Sequence, residues 1–447
     1  MSAPANKFFR SVKRVTESIA FYPVLIPAVY AVLAVLVLAF ESTSLAPALR
    51  DRLPPGLVDA DNSREVLSTL ITGIISLTVF SFSMVMVVLN GAAARLSPRV
   101  LPGLVSDLRN QVILGIYLGS IVYCLMMIGT LNGKAPASVP ALGLLLALVF
   151  GMFCMALFVV FIRSVSQSIQ VEWILSQLYN DASANLKKRK NRIAGVADIP
   201  DATDWWCLPA ARPGYLREVN ERRLGKVLCK HNLTAMIQVE PGFFLIEGHP
   251  LIKLSTRLSD TEANEVLDCF DFHDNEFAGA NVSYGMRQIS EIAVKAISPA
   301  INDPGTAMRA INLLGVLLKR LGGVPPIDVG CCDGGRPRLF YPQLEMPRML
   351  QTIIAPIRIY GGHDPQVLVT LLQCLKNALH GSPSYAQREA LHDEIRALRD
   401  DADAKVGNPL DRQAVNEVIE RVVELQIRQP AVAFLPIDRE RQTRPAD

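Results

Sequence analysis

The chain has 447 residues, half of them from AVILMFWYC and only 19% charged, with a formal net charge of +3. Its mean hydropathy is +0.27, and its charged fraction falls below the quarter typical of soluble domains. This balance excludes a wholly soluble enzyme and a disordered chain; eight irregularly spaced cysteines exclude a disulfide scaffold, and the small net charge gives no basis for binding nucleic acid.

No Asp, Glu, Lys or Arg occurs in residues 18–40, 66–94, 110–133 or 135–162. Each stretch is mainly apolar and exceeds the roughly 20 residues that carry a helix across a ~30 Å hydrocarbon core. Four transmembrane helices are expected, at about residues 19–40, 66–89, 112–131 and 139–162, within a transmembrane domain 1–162. The alternative, buried core helices of a soluble protein, fits poorly with four such runs in succession.

Loop charges set the expected orientation. Lys7, Arg10, Lys13 and Arg14 precede the first run, and Arg95, Arg99 and Arg109 separate the second from the third. Arg163 follows the fourth, and then the cluster Lys187, Lys188, Arg189, Lys190 and Arg192. After the first run, Arg50, Arg52 and Arg64 are offset by Glu41, Asp51, Asp59, Asp61 and Glu65; after the third there is only Lys134. Both termini are therefore expected in the cytoplasm, with the chain in a bacterial inner membrane. The first run is too long for a signal-peptide core and is expected to remain as a span.

The second span carries the most informative pattern. At 100° per residue, Thr69, Thr72, Ser76, Ser83 and Asn90 fall within about 60° of one another. Phe80 and Val87 interrupt this hydroxyl-rich stripe, as does Val79. Such a stripe can line a water path, with Phe80 or Val87 as an apolar constriction. It can equally pack against another helix, because small hydroxyl residues permit close approach. In the third span, Gly115-Ile116-Tyr117-Leu118-Gly119 is a GxxxG match, read as helix packing. No acid, base or histidine lies inside the spans, which weighs against a proton-coupled transporter.

Residues 163–204 read as a helical stalk and linker. The run Lys187, Lys188, Arg189 and Lys190 is either a contact for anionic lipid or a solvated helix end. A small β-rich, sandwich-like module is expected over 205–256, with strands near 215–219, 235–239, 243–246 and 251–254 and a short helix around Leu224, Val227 and Leu228. The phrase Pro241-Gly242-Phe243-Phe244-Leu245-Ile246-Glu247-Gly248-His249-Pro250 resembles hairpins of biotinyl- and lipoyl-like sandwiches. No Met-Lys-Met stands at a hairpin tip, so no attached prosthetic group is expected.

A mainly helical domain follows over 257–430, with helices near 283–297, 304–321, 346–360, 365–379, 385–402 and 411–425, and a tail at 431–447. Residues 268–276 gather acids, Cys269 and His273 without metal-site spacing and read as a solvated acidic loop. Residues 322–342, with Cys331-Cys332 and Gly334-Gly335, read as a loop with reduced thiols. The phrase from Ile297 to Ala307 reads as a rigid corner between helices, with Asp303 as N-cap and Pro304 in the first turn. Ser298, Asn302, Asp303 and Thr306 form either this structural corner or a ligand site.

The phrases Phe80-Ser81-Phe82-Ser83, Leu96-Ser97-Pro98-Arg99-Val100-Leu101 and Ala296 through Ala307 are similar to those of a family of bacterial inner-membrane proteins, domain-of-unknown-function family 2254. The module at 213–254 resembles that family too. The resemblance implies a membrane region followed by a cytoplasmic domain, and it implies no activity. The expected class is thus a multi-pass α-helical membrane protein with a mixed α+β cytoplasmic domain. The expected role is an oligomeric channel or channel-like pore, with several identical subunits sharing an axis and the cytoplasmic domain gating or assembling it. The alternative is a non-conducting sensor or scaffold that couples membrane state to cytoplasmic partners. With no phosphate loop, nucleophile elbow or HExxH motif, neither enzymatic activity nor a cofactor is expected.

Overall fold

A computed structural model describes residues 21–41, 60–95, 108–131, 140–168, 171–192, 200–273, 281–324, 328–333, 336–341, 345–381, 384–424 and 432–436. It divides into two units, one ending near Gln170 and the other beginning at Val171.

The first unit holds four helices long and apolar enough to cross a membrane. They are α1 (Phe21–Glu41), α2 (Ala60–Arg95), α3 (Leu108–Thr130) and α4 (Ala141–Ser168). Helix α3 is the centre, burying Ile113, Tyr117, Tyr123, Cys124 and Met127. Its GxxxG pair gives α1 its seat. A Cβ on Gly115 would lie 2.7 Å from Ile26 Cδ1 and 3.0 Å from the Tyr22 carbonyl oxygen, and one on Gly119 would lie 2.8 Å from the Tyr30 ring. Small residues are what allow two backbones to approach this closely in a medium where the hydrophobic effect does not drive helices together. Helices α1, α3 and α4 make the close backbone contacts. Helix α2 meets the others through side chains, with Leu70 over Gly151 and the Phe80 ring edge-on to Phe158 at 5.6 Å.

Polar groups at one end of this bundle close its helix termini. Glu41 accepts from the Leu142 backbone N–H at 2.6 Å, and Arg64 donates to the Leu131 carbonyl at 2.8 Å. Helix ends leave such donors and acceptors without helical partners, and lipid offers none.

The second unit begins with α5 (Val171–Arg192), which buries Ile174, Leu175, Ala182 and Leu186. This helix packs against α8 (Val282–Ala296) and α9 (Pro304–Gly322). The segment read from sequence as a stalk therefore has a packed face, held also by Arg320 against Tyr179 and Ser183.

The β-rich module contains β1 (Trp206–Pro209), β2 (Gly214–Val219), α6 (Glu221–Lys230), β3 (Ala235–Ile237), β4 (Phe244–Leu245) and β5 (Pro250–Leu254). Three more strands come from beyond residue 256. After α7 (Asp260–Leu267), β6 (Phe270–His273) pairs antiparallel with β2. The hairpin β7 (Asp328–Asp333) and β8 (Arg336–Tyr341) joins through a parallel pairing of β8 with β3. The sheets have strand orders β1-β5-β3-β8-β7 and β4-β2-β6, and one apolar core gathers residues from both.

Two expectations are corrected here. The acidic loop at 268–276 contains β6, because Phe270 and Phe272 turn into the core while the alternate residues Asp271 and His273 are half-buried. The loop at 322–342 is largely the β7–β8 hairpin, with Leu339 and Phe340 fully buried.

The remaining helices are α10 (Met346–Ile353), α11 (Ala355–Gly361), α12 (Pro365–Leu379), α13 (Tyr385–Lys405) and α14 (Pro409–Val423). The single helix expected at 346–360 divides at Ile354, where Pro356 in the next turn cannot donate to a continuing ladder. Helix α12 packs on α9 and α14. Arg358 joins Glu394 at 2.8 Å and also meets Asp401, tying α11 to α13. Of the segment read as a tail, residues 432–436 lie on this domain: Val432 and Leu435 are buried, and Asn416 bonds Leu435 in both directions.

The GxxxG contact generates a prediction. Gly119→Ala forces Tyr30, whose ring lies tilted against Phe150 with centres 4.9 Å apart, out of place. The expected cost is about 1–3 kcal/mol. Gly129→Ala, where nothing lies within 4 Å, should be neutral or mildly stabilising. Thermal unfolding in detergent micelles measures both, and equal midpoints for the two variants would contradict the packing account.

Candidate functional site

The stripe on α2 faces away from the rest of its own unit. Thr69, Thr72, Ser76, Phe80, Ser83, Val87 and Asn90 are all exposed, while Leu67 and Ile74 on the opposite side are buried. Among the described residues of the first unit, the stripe therefore lines no internal path, and its ring contact with another helix is Phe80 against Phe158. Two of its hydroxyls are satisfied within the helix: Thr72 donates to the Ser68 carbonyl and Ser76 to the Thr72 carbonyl, both at 2.9 Å. The outward residues Val29, Val32 and Leu36 of α1 and Met152, Met155 and Val159 of α4 are apolar. The outward side of α2 exposes Ile75, Val79, Phe82 and Met86 as well, and differs from those two by the hydroxyls that run beside them.

The corner after α8 is built from backbone and short side chains. Ser298 donates to the Lys295 carbonyl at 2.6 Å, and the Asp303 N–H reaches back to Ala296 at 2.8 Å. Asn302 sits at φ +47°, a left-handed conformation that Asn tolerates better than most residues. Asp303 then caps α9: Oδ1 accepts from the Thr306 N–H at 3.0 Å and Oδ2 from the Thr306 hydroxyl at 2.7 Å. Pro304 opens the helix.

In the basic run, Lys187, Lys188 and Lys190 are exposed, whereas Arg189 is buried at 8% and its charge acts on Glu240. Arg189 thus lies within its own unit. In the acidic segment, Asp268 pairs with Arg223 at 3.1 Å.

Glu240 belongs to a cavity that no sequence motif announced. The turn Glu240-Pro241-Gly242-Phe243 follows β3; the Phe243 N–H reaches the Glu240 carbonyl at 3.4 Å and Gly242 takes φ +97°. Proline followed by a positive-φ glycine is the sequence requirement of a type II turn. Asn281, the N-cap of α8, accepts from the Ser283 N–H at 2.8 Å and donates to the Pro241 carbonyl, fastening turn to helix. Ser283 donates its hydroxyl to Glu240 at 2.8 Å. Around these groups the turn, α8 and α10 enclose a cavity of about 330 Å³, with Arg287, Glu345, Arg348 and His249 also at its wall. Burial pushes the Glu240 carboxyl above the usual carboxylate range, opposed by the Ser283 and Asn281 hydrogen bonds and the charges of Arg189 and Arg348.

The cap geometry sets an expected order of variants. Asp303→Ala should cost about 0.5–2 kcal/mol of stability, and Asp303→Asn, which keeps an acceptor, less. Unfolding midpoints of the two variants check this, and an Asp303→Ala midpoint equal to the wild type would contradict capping.

Sequence comparison gives one context for these sites. A family described as predicted membrane protein DUF2254 matches residues 16–377. Uncharacterized proteins of Mycobacterium bovis and Mycobacterium tuberculosis are 24% identical over 396 residues, covering 84% of this chain and 75% of each relative. No solved structure matches the chain. The chain belongs to the DUF2254 family of predicted membrane proteins.

Proposed function

We propose that this membrane protein works as an oligomeric pore, in which α2 of each copy turns its hydroxyl face toward the other copies. The observation that carries this reading is the exposure of the whole stripe in the single chain, Thr69 through Asn90. A helix face turned to lipid gains nothing from hydroxyls, whereas a face turned to water or to another helix uses them. Four helices without an ionisable residue at their centre offer little for a pathway inside one subunit, so the shared axis of several copies supplies it. On this reading Phe80 and Val87, 53% and 66% exposed, form the apolar constriction, and wetting of that constriction is the gate. The second unit acts as the gating or assembling domain, on the cytoplasmic side of a bacterial inner membrane, and catalyses nothing.

A second reading rests on the back-bonded hydroxyls of Thr72 and Ser76. Hydroxyls satisfied within their own helix need no water, so the same faces can pack dry. The assembly is then a non-conducting sensor or scaffold.

Cysteine substitutions separate the readings. Oxidative crosslinking in native membranes should join copies at Ser76→Cys and Ser83→Cys, above the wild-type background, and not at Val159→Cys on the apolar face of α4. Planar-bilayer recording of the purified protein should show conductance that rises severalfold in Phe80→Ser. Crosslinks without conductance under voltage or tension select the scaffold. Crosslinking at Val159→Cys alone defeats both.

A further inference from the structure

The pore reading makes no use of the segment that follows α14. We propose that the crevice between α13 and α14 is a binding site for an extended peptide, and that residues 432–436 are its resident ligand, which a partner peptide of the same pattern displaces. The proposal stands independently of the pore.

Three observations carry it. The first is how the main chain is held. Residues 432–436 form neither helix nor strand. Every carbonyl from Ala433 to Pro436 accepts a hydrogen bond from a side chain of the two helices. Arg399 donates to Ala433 and Phe434, both at 3.1 Å, the Asn416 amide to Leu435 at 3.0 Å, and Arg412 to Pro436. The Leu435 N–H donates back to Asn416 Oδ1 at 2.7 Å. One amide that both gives and accepts at a single residue takes the place of a neighbouring strand. Such bonds suit any extended backbone, whichever chain supplies it.

The second is the side-chain pattern. Val432 and Leu435 are buried, while Ala433, Phe434 and Pro436 are exposed. Proline brings no N–H and offers the carbonyl that Arg412 takes. The ligand class is therefore a peptide with two aliphatic residues three apart and proline after the second. Main-chain bonds supply affinity and the two side-chain pockets supply selection.

The third is that the helices themselves fix the donors. Arg412 is buried, and its Nη atoms bond the Val406 carbonyl at 2.6 Å, the Asp403 carbonyl at 3.2 Å and the Asp403 carboxylate, leaving Nε for Pro436. Arg399 keeps Nη1 on Asp400 at 3.0 Å and turns Nε and Nη2 to the segment. Groups anchored in this way need little further ordering when a ligand arrives. The link to the segment is also long. Residues 425–431 span up to about 25 Å when extended, whereas Asn416 lies only about 12 Å back along the helix from Glu424. The segment can therefore leave without unwinding α14.

Tethering gives a resident ligand an effective concentration in the millimolar range, roughly. A free peptide at micromolar concentration is thus excluded from the wild-type chain. The probe is a fluorescent peptide with the sequence of residues 429–438, titrated into the full-length protein in nanodiscs and followed by anisotropy. It should bind Leu435→Asp, whose own anchor is charged, about tenfold or more tighter than wild type. Saturating peptide should also raise the unfolding midpoint of that variant toward the wild-type value. Adding Asn416→Ala to Leu435→Asp should remove the binding, and a peptide that itself carries Leu435→Asp should not bind. If Leu435→Asp does not fold, a chain cut after folding, at a protease site inserted at residue 430, replaces it, and the labelled peptide should exchange with the severed segment. The proposal is overturned if the folded variant binds no peptide, or if the severed segment does not exchange. It is equally overturned if wild type binds as tightly as Leu435→Asp, or if binding is indifferent to Asn416→Ala.

Discussion

Hydrocarbon cannot hydrogen-bond, and the first unit is organised around that fact. Its spans are uncharged, so every backbone polar group within them must be paired by the protein itself. The helices do most of this. Where they end, Glu41 closes the start of α4 and Arg64 the end of α3. The hydroxyls of Thr72, Ser76, Thr78 and Ser120 turn back to carbonyls on their own helices. Even the interior contact between Cys154 and Ser120 is made by small, weakly polar groups. With polarity used so sparingly, a hydroxyl-rich stripe on the outside of α2, broken by Phe80 and Val87, is the exception in this unit.

The second unit is built around apolar cores of its own. Its apolar core combines residues from both sheets, and the sheets are completed by strands far apart in sequence, β6 from one side of α8 and the β7–β8 hairpin from beyond α9. Inserting helices between strands of one sheet couples the module to the helical layer. The cavity at Glu240 lies at this seam, between the turn after β3 and the helices α8 and α10.

Much of this architecture is legible in the residues. The spans follow from absent charge, and α12 runs over 365–379 as its pattern requires because Asp364 and Pro365 fix its start. The Asp303 cap could be written from the pair Asp303-Pro304 alone. What escaped is instructive. Strand β6 is four residues long and its sequence neighbours Asp268, Asp274 and Glu276 are acidic, so composition masked the alternation of Phe270 and Phe272. The β7–β8 hairpin carried a signal, Gly334-Gly335 between two runs, that proline at 337 and the paired cysteines obscured. The cavity could not be read at all: Glu240, Ser283 and Arg348 share no periodicity, and only the fold brings them to one place. Likewise the helical wheel defined the stripe on α2, but not which way the stripe turned.

That direction is the centre of the functional account, and site-directed spin labelling measures it. Labels placed singly at Thr72, Ser76 and Ser83 in liposomes report collisions with lipid-soluble oxygen and with a water-soluble nickel chelate. The pore account predicts low oxygen and high chelate accessibility along the stripe, with the reverse at Val159 on α4. High oxygen and low chelate accessibility at the stripe, matching Val159, would place α2 against lipid and contradict it.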